Sequence, residues 1–151
     1  MANIIPTQKA KLKEILNTLA WKGSTFAQKQ TEGKNHITTF LTTNINHTPS
    51  IMIFHSGQIS QIADTGSNFE FNSYTIRLAT NKITEESQND LELLGSLTVD
   101  ILVNNYAKTN AFWLELRNLK LGDYKMNDKE TLFYRDLTLE LVALKTRNLS
   151  P

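Results

Sequence analysis

The chain has 151 residues, a formal net charge of +1 and no cysteine. The length fits one domain spanning 1–151, and the lack of cysteine excludes a disulfide framework and every thiolate metal site. Near-neutral charge gives no strong field for nucleic acid or an anionic membrane, the N-terminus lacks signal-peptide order, and the apolar runs fall far short of the roughly 20 residues of a membrane helix.

Helical spacing of Leu12, Ile15, Leu16 and Leu19 predicts a first helix over Thr7 to Ala20, with Lys9, Lys11, Lys13 and Glu14 on its wet side and Gly23 where a stop is expected. The pattern then switches to a period of two. His36 to Ile45, rich in Thr, Ile and Phe, reads as a strand, and Pro49 opens another over Ser50 to His55. Gly57 to Asn68 reads as a loop holding at most a short strand at Ile59 to Ala63. Phe69 to Thr80 is a clearer strand, with Tyr74, Ile76 and Leu78 on one side.

The long second helix is expected to start after Thr84 as N-cap, with Glu85 and Glu86 near the positive end of the dipole. Its buried stripe is Leu91, Leu94, Leu97, Thr98, Ile101 and Leu102, and Asn104 and Asn105 suit the exit. Gly95 either costs about 1 kcal/mol against Ala or admits a close neighbour. Two strands follow. In Phe112 to Asn118, Phe112, Leu114 and Leu116 face inward and Trp113, Glu115 and Arg117 outward. In Phe133 to Lys145, Leu137, Leu139, Leu141 and Ala143 alternate with Asp136, Thr138 and Glu140. A charged loop, Gly122 to Glu130, lies between them. The expected fold is α+β, a mainly antiparallel twisted sheet with two helices packed on one face.

Chemistry is sparse. There is no phosphate loop, nucleophile elbow or zinc-protease motif. His36, His47 and His55 lack metal-ligand spacing and read as surface or strand-end histidines. No catalytic, metal or cofactor residues are assigned. Lys9, Lys11, Lys13 and Lys22 read as a solvated helix face, so no specific nucleic acid is expected. Asp64-Thr65-Gly66-Ser67 resembles the active-site triplet of aspartic proteases, in which two carboxylates share a proton; that family implies a homodimeric peptidase using Asp64. Against it stand the missing Gly-rich flap, the placement of Leu93-Leu94-Gly95 inside a helix, and the ordinary turn chemistry of Asp and Gly. A generic binding module is the other alternative.

The order of elements resembles the tail terminator and tail completion proteins of long-tailed bacteriophages. The matching pieces are PSIMIF, a turn-rich stretch with Asp64, FEFNSYTIRLAT, the helix EESQNDLELLGSLTVDILVNN, the strand FWLELRNL and the closing YRDLTLELVAL. They cover roughly Pro49 to Lys145; Lys22 to Ile45 matches less well, which leaves the number of N-terminal strands open. The resemblance implies a structural virion protein, not an enzyme. Such a protein forms a homo-oligomeric ring, commonly a hexamer, that caps the tail tube and meets the head connector. Its partners would be itself, the tube protein and the connector protein, with no membrane. Its location would be the virion tail, after assembly in the host cytoplasm. The surfaces expected to make subunit contacts are the loop Gly57 to Asn68, the loop bearing Asp123, Lys125, Lys129 and Glu130, and the outer strand faces bearing Trp113, Glu115, Arg117 and Glu140. Trp113, alternating with Phe112 and Leu114, is expected to point away from their core, either covered by a loop of its own chain or waiting for a partner.

Overall fold

The computed structural model describes residues 3–106 and 112–147. Helix α1, Ile5–Asn17, buries Gln8, Leu12, Ile15 and Leu16. A two-stranded ribbon follows, β1 (Ala20–Trp21) against β2 (Ser24–Thr25). Its turn residues Lys22 and Gly23 both have positive φ, 48° and 98°. Gly23 therefore does not end α1, which closes at Thr18; it supplies the left-handed turn that lets two short strands reverse.

The next segment departs from expectation. Phe26–Thr31 forms a short helix, α2, opened by a reciprocal cap in which Thr25 Oγ1 accepts from Gln28 N–H and Gln28 Oε1 accepts from Thr25 N–H. The expected strand His36 to Ile45 shrinks to β3, Ile37–Thr38, which pairs parallel with β4 at Ile51 and Met52 only. Thr-rich composition favours extended backbone, but a strand exists only where a neighbour takes its hydrogen bonds.

Strands β4 (Ser50–Ile62) and β5 (Ser67–Thr80) make one long hairpin, with a register shift between His55 and Gly57. The expected loop Gly57 to Asn68 contracts to residues 63–66. Pairing to β5 overrides the turn-prone composition, and the shift absorbs the extra residue before Gly57. Helix α3, Glu85–Asn104, has the cap foreseen at Thr84, whose Oγ1 accepts from Ser87 N–H. It buries Leu91, Leu94, Gly95, Thr98 and Leu102. A Cβ on Gly95 would sit 3.0 Å from Leu121 Cδ2 and 3.4 Å from an Arg135 nitrogen, so the glycine admits side chains from the sheet.

Strands β6 (Glu115–Met126) and β7 (Phe133–Thr146) complete a five-stranded sheet in the order β3-β4-β5-β7-β6, antiparallel except at β3. The charged segment expected as a loop is largely strand: β6 runs through Asp123 and Lys125, and only residues 127–132 turn. Asn127 Oδ1 closes that turn by accepting from the backbone N–H of Thr131 and Leu132.

The register sorts side chains into two faces. Ile53, Ile76 and Leu137 lie side by side and pack in one core with Leu12 and Leu16 of α1 and Leu91 and Leu94 of α3. This confirms an α+β fold with the two longer helices on one face. Beyond them, Gln8 is fully buried. Its Nε2 donates to Phe112 O at 2.8 Å, and its Oε1 accepts from Tyr74 Oη at 2.5 Å and Asn72 Nδ2 at 3.2 Å. Burial raises the Tyr74 phenol far above its ordinary pKa, with the Glu70 charge adding to the effect, so the hydroxyl stays a donor.

Candidate assembly surface

The sheet face turned away from α1 and α3 is the surface with most to say. At its proximal end Met52, Ala79 and Leu132 form a small second core with Ile45, Phe54 and Tyr134. Beside it the Arg77 guanidinium lies 4.0 Å from the Tyr134 ring centroid and 5.5 Å from that of Phe54. It donates through two nitrogens to the Asp136 carboxylate at 2.8 and 3.0 Å. That pairing raises the Arg77 pKa and fixes a charge pair on the sheet surface.

The distal end of the same face is apolar. Ile59, Phe71 and Val142 are neighbours across β4, β5 and β7, and Phe69 neighbours Leu144 one step along. Val142 is buried and the two phenylalanines are half-buried, but Ile59 is 65% and Leu144 50% exposed. Arg117 bounds the patch. Its guanidinium sits 4.8 Å from the Phe71 ring centroid and donates to Glu140 Oε1 at 2.7 Å, while Glu115 pairs with Val142 at the margin. An apolar stripe edged by a charged pair matches the core-and-rim anatomy of protein interfaces.

The adjoining edge points the same way. Past Met52, β4 has no strand neighbour on its free side among the described residues. That stretch, Ile53 to Ile62, contains no Lys, Arg, Asp, Glu or Pro. Exposed edges are ordinarily blunted with such residues, so an uncharged edge is open to pairing with another chain.

Of the residues singled out from the sequence, Glu115, Arg117 and Glu140 come together here. Asp123 and Lys125 are exposed on the far half of β6, and Lys129 and Glu130 in the turn beyond it. Partner positions along β7 run from Val142, opposite Glu115, to Tyr134, opposite Lys125; at about 3.3 Å per residue the two groups are about 26 Å apart. Trp113 requires a correction. It is 4% exposed and belongs to the main core, while Leu114 is 59% exposed. The strand begins only at Glu115, so the alternation fails at Leu114 and Trp113 ahead of it, while Phe112 packs against the core as expected. Sequence reasoning also passed over Phe69, Phe71, Val142 and Leu144. The signal was there: the apolar run Leu141 to Leu144 fills both faces of a strand expected to be wet on one.

Asp64 lies exposed at the tip of the β4–β5 hairpin. Its Oδ1 accepts from Gly66 N–H, Ser67 N–H and Ser67 Oγ, each at 2.8 Å. These bonds, led by that from Gly66, hold the carboxyl below its ordinary pKa. Arg147 reinforces the tip by donating to the backbone carbonyls of Asp64 and Thr65 and to Asn68 Oδ1. This carboxylate is a turn acceptor, in an α+β fold that differs from the all-β frame of the aspartic proteases.

Comparison with known proteins places the fold. It is similar to a chain of a solved structure titled "Virion of native gene transfer agent (GTA) particle", with a TM-score of 0.53, 10% sequence identity, and coverage of 91% of this chain and 94% of that chain. No protein-family model matches, and no curated protein matches. Identity this low speaks for shared architecture alone. No helix among the described residues is long and apolar enough to cross a membrane.

Proposed function

We propose that this chain is a structural subunit of a phage-like virion, assembling as a ring that caps the tail tube and meets the head connector. The observation that carries the proposal is end-to-end similarity of fold: the match covers 91% of this chain and 94% of a chain from the structure of a virion particle. The apolar stripe of Ile59, Phe69, Phe71, Val142 and Leu144 and the uncharged β4 edge support it, because a subunit in a ring needs two surfaces beyond its own core. Copies joined edge to edge around an axis keep their strand directions, and β6 and the part of β4 past Met52, at the two free edges of the sheet, run in opposite directions. A β4 edge would therefore meet a neighbour's β6 in the antiparallel sense. The reading assigns no catalytic step to the chain. Hexamer formation, virion tail location and the tube and connector partners belong to the proposal.

The test replaces Ile59 and Leu144 together by Asp. Sedimentation measures the assembled mass, alone and with tail tubes, and electron microscopy scores capped tube ends. Loss of rings and caps with an unchanged thermal midpoint supports the proposal. Capping by the double variant would remove this surface from the interface, and failure of the unaltered protein to cap any tube would refute the ring.

A further inference from the structure

Around the β1–β2 ribbon and α2, a second feature stands on its own chemistry. The β1–β2 ribbon, α2 and residues 46–48 enclose an open cleft of about 570 Å³ lined by Trp21, Lys29, Lys34, His36 and His47, among others. Glu32 is the one acidic residue in its lining, and Lys22 at its margin is already paired with Asp90 at 2.9 Å and Glu86 at 3.8 Å. The other cations are less well matched. Lys29 Nζ donates to the neutral Ser24 hydroxyl at 2.7 Å, and Lys34 has no ion pair among the described residues.

His36 forms the cleft wall. It is 92% buried, with its ring centroid 5.4 Å from that of Phe26 and 5.6 Å from that of His47. Its Nδ1 lies 2.7 Å from Pro49 O. A carbonyl only accepts, so Nδ1 carries the proton and donates. The neutral ring therefore offers only a bare lone pair at Nε2, and the protonated ring offers an N–H. Burial lowers the His36 pKa, and the charges of His47, Lys29 and Lys34 lower it further, against the opposing bond to Pro49. A cleft whose cations repel one another is stabilised by an anion that bridges them.

We propose that this cleft binds a phosphate-type oxyanion, with Lys29 and Lys34 as the charged partners, His47 lining the cleft beside them and His36 Nε2 as a donor gained on protonation. The other titratable and charged groups lining the cleft are His47, Lys22, Lys29, Lys34 and Glu32. Binding strengthens as pH falls, because the bound anion raises the His36 pKa and draws in a proton. This inference does not depend on the assembly reading.

The experiment is an NMR titration of the full chain with sulfate, whose charge is constant across the pH range of histidine, and then with inorganic phosphate. Saturable shifts confined to Lys29, Lys34, His36 and His47, with a higher His36 pKa in the sulfate-saturated protein, are expected. Lys29→Ala and Lys34→Ala, both on surface elements, should each weaken binding roughly fivefold, equivalent to about 1 kcal/mol, and Lys120→Ala should leave it unchanged. Competition by a short DNA duplex, steeply reduced by salt, would identify the phosphate as that of a nucleic-acid backbone; binding without such competition identifies a free anion. No saturation, or equal loss in Lys120→Ala, overturns the proposal.

Discussion

Replacing Gln8 by Leu probes the buried polar joint between α1 and the sheet. Leucine nearly matches the volume of glutamine, so the substitution leaves little cavity and isolates the hydrogen bonds. Gln8 receives the Tyr74 hydroxyl at 2.5 Å and Asn72 Nδ2 at 3.2 Å and donates to Phe112 O at 2.8 Å. In the variant the Tyr74 hydroxyl, on a residue with no exposed surface, loses its acceptor. Asn72 retains Glu70 Oε1 at 3.4 Å, so it loses less. A buried donor left without a partner costs about 1–3 kcal/mol, and each weakened neutral bond about 1 kcal/mol. The expected loss of stability is about 2–4 kcal/mol, measured by urea denaturation at constant m-value. Adding Tyr74→Phe removes the stranded hydroxyl, so the double variant should regain about 1–2 kcal/mol relative to Gln8→Leu alone. A double variant no more stable than Gln8→Leu, or a Gln8→Leu loss below about 0.5 kcal/mol, would refute the reasoning.

Three further outcomes are expected. Leu94→Asp places a charge at a site with no exposed surface, packed in the main core, and should abolish folding; a soluble variant with a cooperative melt would contradict the burial assignment. Trp113→Ala should cost about 3–5 kcal/mol as a core truncation, so a thermal midpoint unchanged from the parent would show the indole outside the core. At the hairpin tip, Asp64 has a lowered folded-state pKa, so its stabilising effect is present above the ordinary carboxylate range and is lost as pH falls through the depressed folded value. Amide signals of Gly66 and Ser67 should therefore shift in acid with a midpoint below the ordinary 3.8; a midpoint above it would refute the turn-acceptor role.

The local features were legible wherever chemistry is local. The stripe Leu91, Leu94, Thr98 and Leu102, the cap at Thr84 and the inward leucines of β7 follow from periodicity and capping, and the structure places them as expected. The cap that starts α2 is equally local, a reciprocal pairing of Thr25 and Gln28 that the sequence carries in a three-residue spacing. Other features depend on partners distant in the chain. Residues 57–62 are turn-prone by composition but become strand because β5 accepts their backbone hydrogen bonds. Residues 122–126 are charged but pair with β7. Trp113 turned inward because β6 begins two residues later, and a strand's phase is set by its register rather than by its own alternation. The sequence alone thus determined the two longer helices, the fold class and the absence of recognisable catalytic motifs, but not the short α2. Only the tertiary structure decided which strands pair, and hence which apolar residues, Ile59 and Leu144 among them, remain uncovered on the outer face.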